Sequence, residues 1–214
     1  MADQRPADDG GRGRRRRESF AERRERRAEV DDPAVVLEAA ARFLEVRSRS
    51  VAEVRRRLTT NGYRADLVDG AITRMTELGM LDDDAFARAW VESRDRSRPR
   101  GERAIRVELG QKGVDRAVID EVLAARRAGS LALDDPGRPV DPDEPVVSAD
   151  RSAAERLLAK HSRSLARVVD PRQRRARAYA LLARNGFDPE ICREVAATVD
   201  SSLDPVMDTD DDGE

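Results

Sequence analysis

From Pro33 onward, apolar residues recur three and four positions apart in short runs, and each run is closed by a polar or glycine stop. Leu37, Ala40, Ala41 and Leu44 follow Asp32-Pro33, a pair that suits a helix cap and first turn. Ser50 with Glu53 forms a capping box ahead of Val54 and Leu58, and Asn61-Gly62 ends that helix. A third helix carries Leu67, Val68, Ile72 and Met75 and stops at Gly79. The order then recurs. Asp82 caps a helix holding Phe86, Ala89 and Trp90, and a loop runs from Arg98 to Gly101. A helix with Ile105 and Leu109 stops at Lys112-Gly113, and another holds Val118, Ile119, Val122 and Leu123. A third round has Leu157, Leu158 and Leu165, then Tyr179 and Leu182 before Asn185-Gly186. It ends with Ile191, Val195 and Val199 after Asp188-Pro189.

Three of the stops align. Leu58-Gly62-Tyr63, Leu109-Gly113-Val114 and Leu182-Gly186-Phe187 each place leucine four before glycine and an apolar residue just after it. Leu67, Val118 and Ile191 each follow that apolar residue by four. The second interval between glycines exceeds the first by 22 residues, matching the Pro-, Gly- and Asp-rich stretch 129–150. The pattern predicts an all-α chain: three tandem three-helix repeats at 33–79, 80–128 and 151–199, forming an elongated or curved array. An acidic linker at 129–150 interrupts it. Residues 1–32, rich in arginine with Phe20 the only large apolar residue from Arg12 to Arg27, read as a disordered extension. They could be a basic arm touching nucleic acid or a solvated tail. Residues 200–214 carry seven acidic and no basic residues and read as a disordered tail.

Composition narrows the classes. With 39% apolar and only 3% aromatic residues, thin helical layers fit better than one thick core. No run approaches the ~18 apolar residues that span a bilayer, so no membrane contact is expected. The single Cys192 excludes an intramolecular disulfide and fits a cytoplasmic setting. Arginines near the start lack a following apolar stretch, so no secretory signal is expected.

Candidate chemistry is sparse. His161 is the one histidine, with no nucleophile placed to partner it, and reads as a surface helix residue. Cys192 beside Ile191 reads as a structural thiol. Asp82, Asp83 and Asp84 point apart on a helix and serve capping and the helix dipole better than a shared metal. Neither phosphate-loop nor dinucleotide motif occurs, so no cofactor and no enzymatic activity are expected. Charge is the remaining signal: residues 151–199 hold 11 basic against 5 acidic groups, so that segment is cationic despite a chain net charge of -2. Basic residues gather at helix junctions, and the candidates for partner contact are Arg47, Arg49, Arg98, Arg100, Arg103, Arg106 and Lys112, with Arg174, Arg175 and Arg177 in the third repeat. Such a face attracts DNA phosphates or an acidic protein surface. Scarce aromatics argue against a dedicated single-strand binder.

Several segments, in order, resemble the RecX family of bacterial regulatory proteins. Arg47-Ser-Arg-Ser50 with Glu53 resembles its R-x-R-S-x-x-E/L segment. Gly79-Met-Leu-Asp82-Asp83 with Phe86-Ala87 resembles G-x-L-D-D-x-x-F-A. Arg100-Gly101 with Ile105, Glu108, Leu109, Lys112 and Gly113 resembles R-G-x-x-x-I-x-x-E-L-x-x-K-G. The resemblance covers residues 36–127 well and 151–199 more weakly, and departs at both ends and at the linker. It implies tandem three-helix repeats, in agreement with the periodicity. It also implies a regulator that binds the RecA recombinase in the groove of the RecA–DNA filament and blocks filament extension. ATPase, strand exchange and repressor cleavage would fall with it, modulating homologous recombination, DNA repair and the SOS response. A monomer is expected, with direct DNA contact left open. The alternative is a DNA-binding helical regulator whose repeats read a groove like helix-turn-helix units.

Overall fold

The computed structural model describes residues 18–129 and 148–200. Among these are ten helices and no strand. A short α1 (Phe20–Ala28) precedes three repeats. The first is α2 (Pro33–Glu45), α3 (Val51–Asn61) and α4 (Ala65–Glu77). The second is α5 (Asp83–Ser97), α6 (Glu102–Gln111) and α7 (Arg116–Arg127), and the third is α8 (Ala149–Ala166), α9 (Pro171–Arg184) and α10 (Pro189–Ala197). Asp32, Ser50, Asp82 and Asp188 cap helices through their side chains, as their positions in the sequence require.

The aligned Leu-x-x-x-Gly stops are one motif made three times. Gly62, Gly113 and Gly186 hold φ of 102°, 77° and 81°, the left-handed region that only glycine enters cheaply. The next residue then donates its N–H back to the leucine carbonyl: Tyr63 to Leu58 at 3.3 Å, Val114 to Leu109 at 3.2 Å, Phe187 to Leu182 at 3.4 Å. Both apolar members are buried in every copy, so the turn closes over its own core.

Each repeat has a separate core. Val36, Val54, Leu58, Val68, Met75 and Leu81 form the first; Phe86, Val91, Ile105, Leu109, Val122 and Leu123 the second. Leu157, Leu158, Leu182, Phe187 and Val195 lead the third. The third helices bury Val68, Ile119 and Cys192 at equivalent positions, one residue beyond Leu67, Val118 and Ile191, which pack at the margin. Cys192 is therefore a core filler, and burial raises its thiol pKa. Two expected apolar markers face outward: Ala89 is exposed, with Ala87 and Val91 buried instead, and Tyr179 is exposed beside buried Ala178.

Within the stretch expected to be an unstructured extension, Phe20–Ala28 form a helix. A reciprocal capping box of Ser19 and Glu22 starts α1. The backbone of Arg24 lies against Gly62, where a Cβ would collide with it. The Arg27 guanidinium sits 5.7 Å from the Tyr63 ring centroid, and Val30 packs on the first core. Apolar area is a poor guide here, because backbone approach to a glycine and a cation–π contact hold the helix. Residues 1–17, most of the linker and 201–214 lie outside the described residues.

Candidate partner-binding surface

The repeats are joined by polar contacts between helix ends, and these joints decide which basic side chains remain for a partner. At the first joint the N-terminal turn of α3 meets the C-terminal turn of α6. Buried Ser50 caps α3, and its hydroxyl donates to the Lys112 carbonyl at 2.5 Å. The Val51 N–H donates to Asp83 Oδ1 at 2.9 Å, and Lys112 Nζ donates to Glu53 Oε1 at 2.8 Å. Burial would raise the Glu53 pKa, but Lys112 and the Ser50 N–H outweigh it and hold the carboxyl below its ordinary value. A Cβ on Gly113 would strike Ala52, so glycine here serves both the turn and the close approach.

The second joint repeats the plan one unit along: the N-terminal turn of α6 meets the C-terminal turn of α9. Gly101 N–H donates to the Asn185 carbonyl at 3.0 Å, and Arg100 donates to Asn185 Oδ1 at 2.8 Å. Arg103 pairs with Asp188 at 3.0 Å. Gly101 and Gly186 approach so closely that a Cβ on the first would overlap the backbone of the second. At the other end of the line, α1 meets the C-terminal turn of α3 at Gly62. Middle helices thus follow one another end to end, and α1 occupies the last position.

A buried arginine locks the second joint. Arg126, only 2% exposed, makes a two-pronged pair with Asp95 at 2.9 and 3.0 Å and also pairs with Asp150 in the first turn of α8. Burial opposes its charge, but Asp95 and Asp150 prevail and the pKa is raised. Asp150 also accepts the Glu102 N–H at 3.1 Å. The sequence reading put Asp150 in the linker and passed over Arg126. The signal was present: Ile119, Val122, Leu123 and Arg126 share the inward stripe of α7, and an arginine in that register needs buried acids.

The ten proposed contact residues sort by these joints. Arg100, Arg103 and Lys112 link repeats. Arg106 ties α6 to α7 through Glu102 and Asp120. Arg174 and Arg175 both pair with Asp200, which the sequence reading placed in the acidic tail. Arg98 and Arg177 are exposed and make no ion pair among the described residues. Arg47 is exposed and lies 3.8 Å from Glu53. The Arg49 guanidinium stacks 4.3 Å from the Phe43 ring centroid. Trp90 is spoken for: its N–H donates to Glu108 at 2.8 Å, and Arg94 and Lys112 sit at 4.3 and 5.2 Å from its ring centroid. These contacts engage both the N–H and the ring of the one tryptophan.

Asp82 spends its carboxylate on the N–H groups of Asp84 and Ala85, at 2.9 and 3.0 Å. Among the described residues no group of His, Cys, Asp or Glu is arranged to hold a metal ion. No described helix is long and apolar enough to cross a membrane.

Comparison with known proteins matches the repeats one by one. Family models for the first, second and third three-helix domains of RecX match residues 37–75, 82–123 and 149–196. Regulatory protein RecX of Mycolicibacterium vanbaalenii is 33% identical over 160 residues, covering 72% of this chain and 76% of that one. Its counterpart in Mycobacterium tuberculosis is 32% identical over 157 residues, covering 72% and 79%. The crystal structure of RecX from Lactobacillus salivarius superposes with a TM-score of 0.61 over 81% of this chain and 97% of that one. At 18% identity it speaks for the fold alone. Three consecutive domain matches and relatives at this identity and coverage lead to one conclusion: the chain belongs to the RecX family of regulatory proteins.

Proposed function

We propose that this protein regulates homologous recombination by binding the RecA recombinase and the groove of RecA–DNA filaments, without catalysing a reaction. It acts in the cytoplasm and limits filament extension, and with it ATP hydrolysis, strand exchange and repressor cleavage. The observation that carries this reading is the pair of polar joints, which hold three small helical units in one arrangement. A rigid array spanning neighbouring subunits of a polymer gains from each added contact, because the first raises the effective concentration of the next. Arg98 and Arg177, on the second and third repeats, are the freest of the proposed contacts. Arg47 and Arg49 serve the first repeat. Arg100, Arg103 and Lys112 also hold the array, so their loss would confuse contact with architecture.

The test is a titration of purified protein into RecA filaments on single-stranded DNA, following ATP hydrolysis and filament length. The wild type is expected to suppress both. Arg98→Glu with Arg177→Glu is expected to need at least about tenfold more protein for the same effect, as two charge-assisted contacts are lost. Duplex binding with base preference and no effect on RecA filaments would refute this reading in favour of a DNA-binding regulator.

A further inference from the structure

A cleft of about 240 Å³ opens where the first and second repeats meet, with Leu44, Met80 and Phe86 as apolar wall and Ser48, Arg49 and Asp82 as polar wall. Met80 is 50% exposed there, so its side chain is open to a ligand in the cleft. The charge beside it is unbalanced. Arg49 and Arg57 flank the Phe43 ring at 4.3 and 5.5 Å. Neither makes an ion pair with a carboxylate among the described residues, and the Arg49 Nε–H is buried with no acceptor. Arg47 faces only Glu53, which Lys112 already holds at 2.8 Å. Asp82 accepts the Asp84 and Ala85 N–H groups on Oδ1, which turns that oxygen to its own helix.

We infer that this cleft is a docking site for a partner protein segment bearing a leucine-, methionine- or phenylalanine-sized side chain next to a carboxylate. The apolar residue would cover Met80 and Phe86, and the carboxylate would pair with Arg49 on the polar wall. A phosphate backbone satisfies only half of this description, since it leaves the apolar wall wet. The larger cleft of the third repeat, lined by Leu158, Leu165, Val195 and Val199, has no cation on its walls and lacks such a signature. The inference deepens the reading of the chain as a binder of a protein filament by naming what one contact recognises, yet its test needs no filament.

The experiment uses the full chain labelled with nitrogen-15 and titrated with N-acetyl-Leu-Glu-amide, N-acetyl-Leu-Gln-amide or inorganic phosphate. Saturable shifts are expected at the amides of Ser48, Arg49, Gly79 and Met80 with the glutamate peptide. The glutamine peptide is expected to bind about tenfold more weakly, from loss of a charge-assisted pair, and phosphate to leave these amides unmoved. Arg49→Gln and Met80→Asp are each expected to weaken the glutamate peptide at least about fivefold. If Arg49→Gln disturbs the first repeat, the exposed Met80→Asp decides alone. Absent shifts, shifts spread over every arginine, or equal response to phosphate would overturn the inference. Peptide binding without any effect on RecA filaments would refute the function proposed above and leave the cleft standing; the reverse result would remove the cleft alone.

Discussion

Replacing Arg126 by methionine removes the one charge that two half-buried acids share. Asp95 and Asp150 keep 24% and 13% of their side-chain surface exposed, and Arg156 stands 4.0 Å from Asp95, so once the guanidinium is gone they are compensated only in part. Breaking a buried pair in this way costs about 3–5 kcal/mol. With an m value of about 2 kcal/mol/M, the urea midpoint should fall by about 1.5–2.5 M. Trp90 is the only tryptophan and lies in the second repeat, so its fluorescence reports that unit while far-UV circular dichroism reports all three. A shift smaller than about 0.3 M in both signals would refute the clamp, since that is within the uncertainty of such extrapolations. A second variant separates charge from packing. Arg126→Met combined with Asp95→Leu and Asp150→Asn leaves no orphaned carboxylate and retains an acceptor for the Glu102 N–H. It should recover most of the loss, because apolar replacement of a buried ionic cluster is often neutral. If it unfolds as early as the single variant, the packing of the Arg126 stem, not its charge, holds the joint.

Other residues give sharper local tests. Gly186→Ala forces a left-handed backbone on alanine and drives its Cβ into Ala104. It should cost about 2–4 kcal/mol in urea unfolding, well above the ~1 kcal/mol of an ordinary helix-end change. The Glu53 carboxyl titrates lower folded than unfolded, so its stabilisation is complete above its ordinary pKa of 4.5 and is lost as the pH falls through its folded value. The stability gap between wild type and Glu53→Gln should therefore be widest near neutrality and close on acidification, and a gap independent of pH would contradict the pairing with Lys112. Cys192 is wholly buried, so a thiol reagent should modify it only through opening of the third repeat. Arg126→Met should leave that rate within about threefold, because the third core contains none of the clamp residues.

The linear order of residues determined the helices, their caps and the three repeats. Each depends on contacts within a few positions: aspartate or serine on a nearby N–H, leucine four before a left-handed glycine, an apolar stripe at helical spacing. The resemblance in Arg47–Glu53, Gly79–Ala87 and Arg100–Gly113 was local in the same sense. What tertiary structure decided is the allotment of charge. No spacing rule distinguishes Arg98, which faces solvent, from Arg100, which holds Asn185 some 85 positions away. Lys112 and Glu53 are likewise 59 apart, and α1 owes its place to Gly62 rather than to apolar residues of its own. An arginine's partner is set by whichever helix end the joints bring near it, and those joints exist only once the repeats have packed.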